Sequence, residues 1–467
     1  MNYDILFRDL GDRRFLVGLA GAKGGFSRTF LSQLRAVPNL QVAALCDLDA
    51  EGVVALLAEL GYPAQAAVLC EDAQAAQRAI ASGSIAVVRD HALLAGLPLS
   101  IVVEATGQPE IAASIALNAL ERGVHVAMVT KEADSVVGPH LNQIALQNGL
   151  VYTTVDGDQP ANLIGLVSWA RLLGFEIIAA GKSSEYDFVF DHGTGQVTYT
   201  DQQCHAPDLA GLWVMGEDVS QALADRSKAL AALPQSATPD YCEMNVVANS
   251  TGLIPSRDEL NYPVCRISEL ADIFIPREDG GVLDRSGVVD VFNCLRRPEE
   301  VSFGGGVFVI VRCGDKVVWE LLRGKGHVVS RNGRYACIFL PYHLMGLETP
   351  LSLLSAVAHG HASGSDRQQV HAVMVARADR DFRAGELLEM GGHHHVMTDC
   401  TALLLPAEQA EGLSPFYLAA NKRLLADVRK GDIIRESVVD LEGSVLQQIR
   451  QSVLVPGGTA TRAVPVL

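Results

Sequence analysis

The sequence predicts an α/β protein: a doubly wound parallel sheet first, then an α+β domain, then a small β-rich module. Three observations predict it. Over the first 155 residues, short apolar runs of strand length alternate with segments whose apolar residues recur near 3.6, the pattern of a parallel sheet covered on both faces. The first of those runs breaks at a glycine-rich turn that leads straight into a helix. Near 362–369 the composition shifts, and a motif of apolar strand, basic turn, glycine, acid and two aliphatics then occurs twice, around Gly385 and Gly431.

The organising stretch runs from Arg14 to Asp49. Arg14 to Gly21 reads as a buried strand, Gly21-Ala-Lys23-Gly24-Gly25 as the turn, Phe26 to Ala36 as a helix, and Leu40 to Cys46 as a second strand ending at Asp47. A strand that turns into a helix leaves backbone N–H groups free at the positive end of the helix dipole, where a pyrophosphate can sit. The glycines follow G-x-x-G-x-x-S, closing on Ser27, so Lys23 and Phe26 stand where the commoner G-x-G-x-x-G has glycine. In this register Gly24 permits close backbone approach; the plainer alternative is a tight turn and nothing more. Asp47 is placed to accept from an adenosine ribose and to repel a 2′-phosphate, which favours NAD over NADP. This is a Rossmann-type start.

Helices near 50–60 and 71–81 and a strand at 85–88 precede a second buried strand, Ser100 to Thr106-Gly107, with a helix from Pro109 to Arg122 behind it. A strand at 124–129 ends at Thr130-Lys131-Glu132. Sheets of this kind bind ligands at the carboxyl ends of their strands, so Thr106, Gly107, Thr130 and Lys131 fall beside a nicotinamide ribose. The strand at 151–155 ends in Asp156-Gly-Asp158 ahead of a helix at 161–173. Two carboxylates around a glycine suit a divalent ion, Mg or Mn, and suit a helix cap equally well. A strand at 176–180 leads to Gly181-Lys182-Ser183, where a lone lysine is most often a surface residue.

From 191 to 240 the chain is polar and irregular, as in an insertion or helical excursion. Asn245 to Leu253, containing Asn249, Thr251 and Gly252, and Gly280 to Asp290, containing Arg285 and Ser286, read as glycine-punctuated turns suited to a small polar ligand or to structure alone. A strand at 306–312, Gly324-Lys325-Gly326, Pro341-Tyr342-His343 and an apolar helix at 344–359 that packs back on the first domain complete this part. The expected domains are therefore 1–155, 156–343, a return helix and linker at 344–365, and 366–467. His393-His394-His395 lacks the i, i+4 spacing of a helical metal site.

Composition bounds the partners. A formal charge of −17 argues against nucleic acid and anionic membranes and leaves a small molecule as the expected partner. Acids near Met1 and the lack of any apolar run of roughly 18 residues argue against a secretory signal or membrane span, so a cytoplasmic protein is expected. Nine cysteines without a C-x-x-C pair read as reduced thiols.

Several segments carry a resemblance: Val-Glu-Ala-Thr-Gly107, Lys-Glu-Ala-Asp134, Gly-Asp158-x-Pro160, Ala-Gly-Lys182, Ala-Asn249-x-Thr-Gly-Leu253, Gly-Gly-Val-Leu-x-x-Ser-Gly-Val-Val-Asp290, Gly-Lys-Gly326 and Pro-Tyr-His-Leu344. With them the chain resembles the deoxyxylulose-phosphate-reductoisomerase-like oxidoreductases, which pair a homoserine-dehydrogenase-type core with a C-terminal SAF module. The resemblance implies a nicotinamide-dependent oxidoreductase whose second domain binds substrate and makes a homodimer or higher homo-oligomer. It implies Lys131 beside the nicotinamide, Lys182 as proton donor or carbonyl anchor, and Asp156 and Asp158 as metal ligands. Gln159 stands where those relatives carry a carboxylate.

The chemistry expected is hydride transfer at a CH–OH/C=O carbon of a small hydroxylated acid or ketose, with or without a phosphate. Lys182 would hold the oxygen and relay its proton, with a pKa depressed by neighbouring Lys131. Asp158 would assist, and Glu132, Asn249, Thr251, Gly252, Arg285, Ser286, Lys325 and His343 would hold the substrate. Three rivals remain: a metal-dependent reductoisomerase of deoxyxylulose-phosphate type, a cofactor-binding sensor or scaffold without turnover, and a sugar-acid-binding role in the SAF module itself.

Overall fold

The computed structural model describes residues 2–312, 314–392 and 394–453. They divide into two compact units, Met1–Ala161 with Leu344–Val370 and Leu441–Leu467, and Asn162–His343 with His371–Asp440.

The first unit is built on seven strands: β1 (Phe15–Ala20), β2 (Leu40–Cys46), β3 (Ala67–Leu69), β4 (Ile85–Val88), β5 (Ile101–Glu104), β6 (His125–Met128) and β7 (Tyr152–Thr153). They lie in the order β3-β4-β2-β1-β5-β6-β7, every pair parallel. The order turns back between β1 and β5, which makes the carboxyl ends of those two strands the switch point of a Rossmann sheet. Helices fill the crossovers because the strands are too apolar to face water on either side. Phe26 and Phe30 enter the core from the helix Gly25–Leu34, their rings 5.9 Å apart.

The returning segment joins that core through Leu353, Leu354 and Ala356. Its helix is shorter than the apolar pattern implied: Thr349–Leu354, then a π-turn to His359. Residues 344–348 cannot be helical because Gly346 has φ +81° and is pressed against the first helix, where a Cβ would lie 2.4 Å from Thr29 Oγ1. The helix Val445–Ser452 also belongs to this unit. Glu110 grips its start, accepting from the Ser444 hydroxyl at 2.7 Å and the Val445 N–H at 2.8 Å.

The second unit carries β8 (Glu176–Ser183), β9 (Phe188–Asp191), β10 (Gln196–Tyr199), β11 (Gln202–His205), β12 (Ile254–Pro255), β13 (Val264–Cys265), β14 (Val288–Arg296), β15 (Val307–Arg312) and β16 (Tyr335–Leu340). Their order is β11-β10-β9-β14-β8-β15-β16, with β12 and β13 also on β14. The sheet is mixed: β8 runs parallel to β14 and antiparallel to β15. β8 continues past the expected Ala180 as far as Ser183, so Lys182 stands in a strand rather than a loop. Gly181 makes this packing possible, since a Cβ there would lie 2.3 Å from Asp290 O.

Two sequence expectations change here. The irregular stretch 191–240 contains β10, β11 and the helix Val219–Ala229, anchored by Arg226, whose buried guanidinium forks onto Glu269 at 2.7 and 2.9 Å. The supposed turn at Asn245–Leu253 is mostly the helix Thr238–Thr251, opened by Pro239 and closed by Gly252 at φ +76°.

Residues 371–440 belong to the second unit and add β17 (Ala372–Ala378) and the short β18 (Met390–Gly391) and β19 (Val396–Met397), with β20 (Cys400–Pro406) antiparallel to β17. The two repeated motifs pair with each other: Phe382 bridges Val428, and Gly385 N–H donates to Leu424 O at 2.7 Å. In each, the glycine is left-handed and the following acid, Glu386 or Asp432, accepts from a backbone N–H of its own turn. His393 lies outside the described residues. No described helix is long and apolar enough to cross a membrane.

Candidate functional site at the carboxyl edge of the parallel sheet

Gly21 leaves β1 at φ +77° because the chain there must turn within reach of β5; a Cβ would lie 2.2 Å from Ala105 O. Gly24 then caps the helix Gly25–Leu34 with no side-chain hydrogen bond, and around Gly25 there is open space. The N–H groups of this helix start thus have no capping side chain, which suits them to an anion. Ser27 turns inward and donates to Gly21 O at 2.7 Å, which explains why a hydroxyl can stand in the third place of the motif. Phe26 is buried in the core, and Lys23 extends sideways to pair with Asp49, so neither fills the turn.

Asp47 follows β2. Its two carboxylate oxygens accept from the backbone N–H groups of Lys23 and Asp49, each at 3.0 Å, which fixes the side chain beside the glycine turn. Across the switch point, Glu104 ends β5 fully buried, and Thr106 donates to it through N–H at 2.9 Å and hydroxyl at 2.6 Å. Burial pushes the Glu104 carboxyl up to about 7 against these hydrogen bonds. The Thr130 hydroxyl accepts from Gly107 N–H at 3.0 Å and so ties the ends of β5 and β6 together. Deeper in, Asp134 accepts from the Tyr152 hydroxyl at 2.8 Å and is likewise raised by burial to about 7.

Lys131 opens the helix Lys131–Gln147 and places its ammonium 3.2 Å from both oxygens of Asp158. Asp158 is buried, while Lys131 keeps about a quarter of its side chain exposed. Asp156 faces elsewhere, accepting from the hydroxyls of Ser352 at 2.7 Å and Ser363 at 2.5 Å. As a donor set for a divalent ion these two acids do not fit. Asp158 is already neutralised by a lysine, Asp156 is engaged by two serines, and no group of three or more His, Cys, Asp or Glu suited to a metal occurs among the described residues.

In the second unit Lys182 is fully buried in β8, its ammonium 2.6 Å from Asp240 and in contact with Glu243. Ser184 and Tyr262 hydroxyls donate to the other Asp240 oxygen at 2.9 and 3.1 Å. Burial opposes the Lys182 charge, but the two carboxylates outweigh it and its pKa is raised. This corrects the depressed value expected from the sequence: the neighbours that decide it are acids. Burial raises Asp240 despite Lys182, and Glu243 adds to the rise. Neither acid was picked out from the sequence, although Asp240-x-x-Glu243 at i, i+3 opening a helix was the available signal.

Other expected substrate contacts take different places. Asn249 spends its carbonyl on the backbone N–H groups of His371 and Ala372, and the Thr251 hydroxyl returns to Val247 O at 2.7 Å. Gly252 is the helix cap just described. Arg285 and Lys325 are exposed, and Glu132, Ser286 and His343 are partly buried.

Residues 157–349, which span the Lys182 cluster, match the family model described as oxidoreductase DRL, catalytic domain. Over those residues the chain is similar to the DRL catalytic domain. Among curated proteins none matches the chain. Solved structures to which this chain is similar include a DOX-P reductoisomerase in complex with magnesium, 18% identical over 37% of this chain and 46% of that one, TM-score 0.28. A dipicolinate-bound dihydrodipicolinate reductase from Paenisporosarcina sp. TG-14 is 12% identical over 75% and 97%, TM-score 0.33. The putative oxidoreductase yvaA from Bacillus subtilis is 11% identical over 76% and 92%, TM-score 0.38. This chain thus spans about half the length of the reductoisomerase.

Proposed function

We propose that this chain is a nicotinamide-dependent oxidoreductase, NAD being favoured, that moves a hydride at a CH–OH/C=O carbon of a small hydroxylated acid or ketose, with or without a phosphate. The observation that carries the reading is the carboxyl edge of the first sheet, where a glycine-capped helix start, Asp47 and the Lys131–Asp158 pair each follow a strand of the same parallel sheet. The cofactor, when bound, supplies or accepts the hydride. Gly24 and Gly25 let the backbone approach its phosphates, Asp47 accepts from the adenosine ribose, and Thr106, Gly107 and Thr130 border the nicotinamide ribose.

Lys131 keeps part of its side chain exposed, and its pairing with Asp158 fixes its direction, so it is suited to hold the substrate oxygen as charge develops there. Lys182 remains protonated among Asp240, Glu243 and Tyr262, and this buried cluster serves as the proton-holding group of the second unit. No step is routed through a metal. The reading includes a homodimer or larger homo-oligomer, which light scattering measures directly. A Lys131→Met variant tests the chemistry: it should retain NADH binding and lose turnover, and unchanged turnover on a screened hydroxy acid would refute the assignment.

A further inference from the structure

The second unit contains a cavity of about 280 Å3 between the helix Val219–Ala229, the loop from Arg257 to Val264 and the turn at Arg277–Val282. Its lining is mixed: Leu223, Pro263, Val264 and Val282 supply apolar surface, and Arg257 and Arg277 supply charge. Arg277 is tied to Asp284 at 2.5 Å. Arg257 makes no side-chain hydrogen bond or ion pair among the described residues, although it senses the buried Asp290 carboxylate.

The loop that presents Arg257 is held in an unusual form. Leu260 and Tyr262 are both left-handed without being glycine, at φ +52° and +44°. Asn261 between them donates its backbone N–H to Asp290 at 2.8 Å and its amide to the other Asp290 oxygen at 2.5 Å. Tyr262 lines the cavity with its ring, and its hydroxyl donates to Asp240 at 3.1 Å. Asp290 and Asp240 thereby fix the loop that carries Arg257.

We propose that this cavity binds a small amphiphilic anion, a phosphate monoester or a carboxylate on an apolar body of a few carbons, with Arg257 as its counter-ion. An unengaged guanidinium offers the bidentate donors that both anions accept. The apolar part of the lining takes the carbon body, and the volume limits it to a small metabolite. Through Tyr262 the bound anion stands one side chain away from the Lys182 cluster.

The test is calorimetric titration of the full chain with n-butyl phosphate, hexanoate and, as a neutral control, n-butanol. Saturable binding of either anion, weakened about tenfold or more in Arg257→Gln and unchanged in Arg312→Gln, supports the site, and the stronger of the two names the head group. Arg257→Gln binding as tightly as the parent, butanol binding as tightly as the anions, or no saturation by either anion up to about 10 mM would overturn it. Arg257→Gln should stay folded, because the exposed side chain makes no hydrogen bond or ion pair among the described residues. The outcome is independent of the cofactor: loss of NADH affinity with intact anion binding would reject the proposed function and leave this site standing.

Discussion

Lys182 and Asp240 form an ion pair at 2.6 Å with neither side chain more than 1% exposed. A charge so buried is stable only with its partners, and Glu243 brings the group to one cation facing two carboxyls. Replacing Lys182 by methionine should therefore destabilise the chain by roughly 3–5 kcal/mol, because two acids are left without their cation. The triple variant Lys182→Met, Asp240→Asn, Glu243→Gln should recover much of the loss. Urea unfolding measures both, and a neutral Lys182→Met would show that the cluster is not the buried network described.

The pH dependence follows from Glu104 and Asp134. Both keep their protons in the folded chain to about pH 7, whereas the unfolded chain releases them at the ordinary carboxyl values near 4. The folded state binds more protons between those limits, so this contribution is complete below about pH 4 and is lost as pH rises through 7. It amounts to roughly 3–4 kcal/mol for each group. The first unit should melt higher at pH 5 than at pH 8, and Glu104→Gln with Asp134→Asn should flatten that slope.

Gly21 is irreplaceable for two reasons, its left-handed backbone and the 2.2 Å that would separate a Cβ from Ala105 O. Gly21→Ala should cost about 2 kcal/mol or more and should abolish nicotinamide binding at temperatures where the chain is still folded. Gly25→Ala, with open space around the position, should leave stability within about 0.5 kcal/mol.

Most of the parallel sheet was legible because its strands are short and apolar, and β4 occupies the residues its pattern marks, Ile85 to Val88; β3 was missed, since its three residues are largely exposed and show no buried-strand pattern. Local signals failed where tertiary contacts decide. Gly181 reads as a turn, but its missing Cβ serves the close approach of Asp290, and β8 runs on through Lys182. Asn249 and Thr251 read as ligand-binding polar groups, but their oxygens satisfy a neighbouring strand and their own helix. The acids of the two C-terminal repeats, Glu386 and Asp432, were visible as a pattern, and their task of closing the turns needed the folded geometry. The Lys182 cluster was half legible: the lysine stood out, and the acids 58 and 61 positions away could not be joined to it from spacing.

Under the proposed function, Asp47 sets the cofactor choice. An Asp47→Ser variant should lower the preference for NADH over NADPH by about tenfold, since it removes the charge that opposes a 2′-phosphate. Parallel titrations with the two cofactors read the ratio, and an unchanged ratio would place the ribose elsewhere.

The most direct test is fluorescence titration of the purified full chain with NADH and NADPH. Saturable binding is expected, tighter for NADH, and removed by Gly21→Ala. A chain that is folded by circular dichroism and binds neither nucleotide would contradict a dinucleotide site at the end of the first sheet.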